Sequence, residues 1–394
     1  MKNRKLSLVT ILLIGVMVTW FFYACAPVRE FMHWKSYNGN PSFNLSQPGY
    51  VSTKKSIILI ADTEGTEIFD LLAPYYLFSA TEQANVYVVA EKKAPVIIRK
   101  GFFLIPHFSF EEFDRAGIQA NVIVIPNLSA MDSRHQNPVI VNWIKNHYND
   151  STVMLSVCDG ALTAAATGIY DGMPLTAHAS DYESIRKQFA KPRWVNDKRV
   201  THHGGLYSTA GVSNATAGAL AIIDTLFGRA TMLGVSNLIN YTTAPGLTTH
   251  NSIPISLGDK LAIGRKVLFE KNRKVGVLLQ DGDNELELAA ILDTYNRTFP
   301  KSLESITLTG NSIRTKYGLT LLPTTRFDEF EPDELHVLHS SELLSNSPYL
   351  KDPSIIVRYN RQEPLYIIDE CLDRITSQYG RRFTKVVKRL LDYN

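Results

Sequence analysis

From residue 56 onward, short apolar runs rich in β-branched residues alternate with segments whose apolar residues recur at helical spacing, and few architectures accept such an order. "SIILIAD" (56–62) and "NVYVVAE" (85–91) have the first character, and "EIFDLLAPYYLFSA" (67–80) between them has the second. "NVIVIPN" (121–127), "PVIVNWIKNHY" (138–148) and "STVMLSV" (151–157) continue the series. Neighbouring parallel strands need a long crossover between them, and a helix is the usual one. The expected fold class is α/β: a flavodoxin-like parallel sheet with helices on both faces.

At 394 residues the chain exceeds what one hydrophobic core usually organises, so a second unit is expected. Internal similarity suggests where it lies. "GFFLIPHFSFEEF" (101–113) and "GLTLLPTTRFDEF" (318–330) share Gly, then Pro five residues later, then Phe-acid-Glu-Phe at the same offset. "IILIADTEGTEIFDLLA" (57–73) resembles "VGVLLQDGDNELELAA" (275–290), and the stretch 219–241 resembles 364–393. The region from about 130 to 215 has no counterpart. The expectation is a complete unit at 54–245, a linker at 246–270 and a truncated unit at 271–394, the two packed as an intramolecular pseudo-dimer.

The N-terminus has a different character. Lys2, Arg4 and Lys5 precede Leu6–Val28, a stretch without charge. At about 1.5 Å per residue this segment is long enough to cross a bilayer. Basic residues ahead of it favour a cytoplasmic N-terminus. The expectation is a single-pass anchor in the cell membrane (residues 1–28), a polar spacer (29–53) and main domains outside the cytoplasm. A cleaved signal peptide, or a lipoprotein signal with Cys25 as the lipidated residue, remains an alternative. Forty-one Lys plus Arg against 38 Asp plus Glu leave no basic excess, so nucleic acid is not an expected partner. Three cysteines, at 25, 158 and 371, do not make a disulfide framework.

Chemistry concentrates in "STVMLSVCDGALTAAATG" (151–168). Cys158 ends a strand-like run and precedes Gly160 and a helix of small residues, the strand–turn–helix pattern of a nucleophile elbow. Such a turn exposes the side chain at the carboxyl end of the sheet, beside a helix N-terminus whose dipole favours thiolate. A buried structural thiol is the alternative. Elsewhere, His202-His203 lacks a carboxylate or cysteine at ligand spacing, and "DGDNE" (281–285) lacks the bidentate Glu of a calcium loop. No metal site is expected.

"SVCDGALTAAATGIYDGMPLTAH" (156–178) resembles the cysteine elbow of the ThiJ/PfpI superfamily, in the branch that includes isocyanide hydratases and the sensor halves of AraC-type regulators. "EIFDLLAP" (67–74) is similar to that branch's acid-bearing helix, and "HHGGLYSTAGVSNATAGALAII" (202–223) to its next conserved stretch. The resemblance spans roughly 56–241 and implies Cys158 as nucleophile, Asp70 as the acid that exchanges a proton beside it, and His178 as a third polar group. It also implies that backbone amides near Asn127, Leu128, Asp159 and Gly160 steady developing charge. Here Pro126-Asn127-Leu128 stands where the family has Pro-Gly-Gly, and Asp159 replaces Thr or Ala. Two functions are implied: a hydrolase, lyase or hydratase acting on a small electrophile without metal or organic cofactor, or a non-enzymatic small-molecule sensor. In the second half Glu287 stands where Asp70 does, no elbow follows, and Cys371 reads as core.

Overall fold

The structure, a computed structural model, describes residues 27–32, 35–39, 48–99, 101–128, 136–242, 249–339, 350, 352–359 and 365–393. The stretch expected to cross a membrane lies outside them except for residues 27 and 28, which fall in a short helix, α1 (residues 27–32); Cys25 also lies outside. Among the described residues no helix is long and apolar enough to cross a membrane.

The first half is the expected parallel sheet. Its central strand, β1 (Lys55–Ala61), is buried along its whole length except at Lys55, as a strand covered on both faces must be. It pairs in parallel with β2 (Ala84–Ala90) on one side and β6 (Val122–Ile125) on the other. Beyond β6 come β7 (Val153–Ser156), β11 (Leu206–Thr209) and the antiparallel edge strand β10 (Val200–His203). Beyond β2 the sheet ends with β5 (Phe108–Ser109). A separate pair, β8 (Pro174–Leu175) and β9 (Arg193–Trp194), lies between α5 (Gly160–Thr167) and β10.

The second half builds a five-stranded parallel sheet around β12 (Lys274–Leu278). β13 (Ser302–Thr307) and β16 (Thr325–Arg326) lie to one side, β17 (Glu334–Val337) and β18 (Ile356–Arg358) to the other. Among the described residues no strand–turn–helix elbow follows β18. The stretch 246–270, expected as a linker, contains a helix, α9 (Leu257–Phe269). Ser256 and Asp259 form its capping box, and the buried Lys266 Nζ donates to Phe299 O at 2.9 Å. The linker expectation rested on the position of this stretch between the two similar segments; the helix is fixed to the second half by the buried Val267 and by charged contacts, including Asp259 with Arg389.

Two features join the halves. Helix α2 (Ile68–Ala80) is apolar on all sides, and every residue from Ile68 to Phe78 is buried. One face covers the first sheet and the other packs on α10 (Glu285–Asn296), which is why no polar stripe appears in its sequence. Leu59, Phe69 and Leu72 thus share one apolar cluster with Val277, Ile291, Leu372 and Val387. The second join is a four-stranded sheet: the hairpin of β3 (Val96–Ile97) and β4 (Phe103–Ile105) meets that of β14 (Ile313–Arg314) and β15 (Thr320–Leu322). β4 and β15 run antiparallel with Leu104 opposite Leu321, flanked by Phe103 opposite Leu322 and Ile105 opposite Thr320. Leu104 and Leu321 are each fourth in the two similar segments that begin at Gly101 and Gly318.

Each half closes on helices that break at a glycine. α7 (Ala215–Phe227) and α8 (Arg229–Leu238) meet at Gly228, with φ 88° and ψ 160°. The long α11 (Ile367–Leu391) breaks at Gly380, with φ 79° and ψ 160°.

Candidate functional site

The site forms where β7 leaves the sheet. Val157 N donates to Ile125 O at 2.9 Å, holding the chain against β6, and Gly160 N donates back to Val157 O at 2.8 Å. The turn between them forces Cys158 to φ 55°, a conformation a non-glycine residue adopts at a cost and one common at functional turns. A Cβ at Gly160 would lie 2.2 Å from Ile125 O and 2.8 Å from Pro126 O, so the helix can start here only on a glycine. The geometry is the expected elbow.

Cys158 is 2% exposed, yet with Asp159, Asn127 and His178 it lines a cleft of about 150 Å³. Asp70, in the first turn of α2, is fully buried. Its Oδ2 accepts the Asn127 N–H at 3.1 Å, while Oδ1 has no hydrogen-bond partner. Burial, and then the neighbouring Glu67, hold the Asp70 carboxyl well above the usual carboxylate range. Burial also pushes the Cys158 thiol well above its ordinary value, reinforced by the negative charges of Asp70, Asp159 and Glu67. The expected thiolate-favouring helix end is thereby outweighed: the N–H groups of Gly160, Ala161 and Leu162 are taken by the carbonyls of Val157, Cys158 and Asp159, while burial and three carboxyl groups act on the sulfur.

His178 lies in the same cleft, its Nδ1 accepting the Ser180 N–H at 3.2 Å and its Nε2 without a hydrogen-bond partner. Burial opposes its charging, but Asp181, Asp159 and Asp392 together leave it above the ordinary histidine value. Asp159 is pushed up to about 7, by burial and then by Asp181.

The expected set of oxyanion donors needs correction. The Asn127 amide is taken by Asp70, and the Asn127 carbonyl accepts the Glu67 N–H at 2.9 Å. Leu128 points into the apolar core on the other face of the sheet and is bridged to Thr66, because without glycines this turn has side chains to bury. The Gly160 amide closes the elbow onto Val157. Of the four residues, Asp159 keeps its backbone N–H directed at the sulfur.

Several cleft residues carried no sequence signal. Glu67 is held between two guanidinium groups, Arg99 Nη1 at 3.4 Å from one oxygen and Arg297 Nη2 at 3.5 Å from the other. Arg297 comes from the second half, where its Nε donates to Leu390 O at 3.1 Å and its Nη1 to Asp293 O at 2.9 Å and to the Asp293 carboxylate. Leu390 and Phe31 complete the walls. Next to His178, Asp392 enters from the end of α11. Its carboxylate Oδ2 accepts from Gly211 N at 2.7 Å, Ser252 Oγ at 2.9 Å and Asn214 Nδ2 at 3.3 Å, and its Oδ1 lies 3.0 Å from His250 Nε2. A Cβ at Gly211 would lie 2.3 Å from the Asp392 Cβ and 2.7 Å from the His178 ring, so this approach requires glycine. Burial again opposes the charge, but His250 and the Gly211 amide hold the Asp392 carboxyl below its usual range.

A cysteine in a strained strand-to-helix turn, at the carboxyl edge of a parallel α/β sheet and near a buried carboxyl, defines the class of cysteine-elbow α/β domains. Residues 54–225 match the DJ-1/PfpI family, and the first half of the chain is a domain of that superfamily. The isonitrile hydratase of Pseudomonas putida is 26% identical over 176 residues, which are 45% of this chain and 74% of that protein. Among solved structures, a ThiJ/PfpI family protein from Pseudomonas syringae is 20% identical with a TM-score of 0.42, covering 49% of this chain and 77% of that one. Schizosaccharomyces pombe DJ-1 is 19% identical with a TM-score of 0.40, covering 47% and 98%.

Proposed function

We propose that the cleft adds water to a small carbon electrophile, an isocyanide being the simplest case, with Cys158 as the attacking group. The observation that carries this reading is the strained Cys158 near a buried Asp70 whose Oδ1 is unpartnered. Sulfur bonds to the electron-poor carbon, and the thiol proton reaches the substrate through the Asp70 carboxyl. Water then attacks the adduct, the C–S bond breaks with its electrons returning to sulfur, and the thiol regains a proton. For an isocyanide the sum is water plus substrate giving an N-substituted formamide. A thiol that rests protonated suits this sequence, since the proton it loses is the one the carbon gains. The cleft's 150 Å³ accommodates a ligand of only a few heavy atoms.

The commitment of the Asn127 and Gly160 amides favours a second reading, a sensor that binds such a molecule without turnover. Incubating the full chain with short alkyl isocyanides and aldehydes, and following products by NMR, separates the two. The proposal expects turnover by wild type and its loss in Cys158→Ser and Asp70→Asn. Saturable binding with no product supports the sensor, and equal turnover by wild type and Cys158→Ser removes the nucleophile. The antiparallel pairing of β4 with β15 and the helix breaks at Gly228 and Gly380 support reading the halves as an intramolecular pseudo-dimer, in which the second half walls the cleft of the first. The charge-free stretch 6–28 supports a tether that holds this assembly at a membrane.

A further inference from the structure

The junction of the halves holds another cavity, of about 290 Å³, that shares no lining residue with the cysteine cleft. The first half supplies Lys93 and His107 to it and the second half Arg314 and Thr320. None of its lining residues is acidic. Three carboxylates lie around it: Glu112, 3.8 Å from Lys93 Nζ, also accepts the Ser109 N–H at 2.9 Å, Asp281 accepts the backbone N–H of Arg314 at 2.7 Å, and Glu285 accepts the Tyr317 N–H at 2.8 Å.

His107 fixes the polarity of the cavity. Its Nδ1 accepts the Val88 N–H at 2.9 Å, so the ring proton sits on Nε2. Its ring is stacked on Tyr75, whose hydroxyl donates to Tyr317 O at 2.8 Å. Burial, then Lys93 and Arg314, drop its pKa to about 4, which keeps it a neutral donor at physiological pH. Two cations and a neutral N–H donor thus line one cavity whose wall carries no acidic residue. That arrangement is electrostatically unfavourable when empty and favourable around a multiply charged oxyanion.

We propose that this cavity binds a phosphoryl group, held by Lys93, Arg314 and the Nε2–H of His107. The volume exceeds that of one phosphate ion, so a small phosphate monoester fits as well. Because the donors come from both halves, such a ligand ties them together and stabilises the folded chain in proportion to its occupancy. The inference stands apart from the cysteine chemistry.

Titration calorimetry of the full chain at neutral pH and constant ionic strength tests it, with inorganic phosphate and glycerol 3-phosphate as probes. The expected result is saturable binding of one phosphoryl group per chain, weakened at least about tenfold in Arg314→Gln and in Lys93→Gln and unchanged in Cys158→Ser. Arg314 is exposed, so Arg314→Gln keeps the fold, and its circular dichroism spectrum verifies this. Absence of saturable heat up to about 10 mM probe, or equal affinity in Arg314→Gln, overturns the proposal.

Discussion

Replacing Asp392 by alanine removes a carboxylate that binds the C-terminal end of α11 to the loop beside His178. The wild-type carboxylate accepts three hydrogen bonds, from Gly211 N, Ser252 and Asn214, and lies beside His250, all in a setting where Asp392 is 1% exposed. Removing one partner of such a buried charged network costs about 3–5 kcal/mol, since the remaining donors lose both partner and water. Asp392 also sits at φ 54°, where alanine adds about 1 kcal/mol of backbone strain relative to aspartate. The total for Asp392→Ala is therefore about 4–6 kcal/mol. Asp392→Asn tolerates the same backbone, and its amide oxygen can accept the Gly211 and Ser252 bonds. Its cost at neutral pH is at most about 1–2 kcal/mol. The pH dependence has a definite sign. A carboxyl whose folded pKa lies below its unfolded value contributes stability at neutral pH, and that contribution fades as pH falls below about 4. The gap between wild type and Asp392→Ala accordingly narrows in acid. Equilibrium urea unfolding, followed by far-ultraviolet circular dichroism and by tryptophan fluorescence, measures both variants. A loss below about 1 kcal/mol for Asp392→Ala would refute the reasoning.

Two further outcomes follow from the elbow. Gly160→Ala drives a Cβ into the carbonyls of Ile125 and Pro126 and is expected to cost about 1–3 kcal/mol or more, read as a lower urea midpoint; an unchanged midpoint would mean that the turn yields freely. Asp159→Asn removes one of the negative neighbours that raise the Cys158 thiol. Because Asp159 carries its charge above about pH 7, alkylation of Cys158 by iodoacetamide, followed by peptide mass spectrometry, is expected to be faster than in wild type above that pH and similar well below it. Equal rates across the range would exclude Asp159 as a determinant.

Much of the first sheet was legible because its strands are buried on both faces, and burial leaves a plain mark: apolar runs such as Ile57–Ala61 between helical segments. The elbow was legible for a related reason, since a cysteine followed closely by a glycine that no other residue can replace is a local pattern. The electrostatics of the site were not. The sulfur's surroundings include Glu67, whose partner Arg297 lies more than two hundred residues away in the chain, and no local spacing reports such a meeting. The amides of Asn127 and Gly160 look available in a sequence, where an N–H has no visible acceptor, and are occupied once the chain folds. The helix Leu257–Phe269 escaped notice because few of its residues are buried; its cap at Ser256 and Asp259 was the readable signal.

The all-apolar character of α2 bears on how this protein can be taken apart. A fragment trimmed to residues 54–225 would keep every strand of the first sheet but leave the α10-packed face of α2, and Tyr76 where it meets Tyr317, open to solvent. Such a fragment would be expected to self-associate or precipitate, so work on the cysteine in isolation calls for a boundary drawn around both sheets.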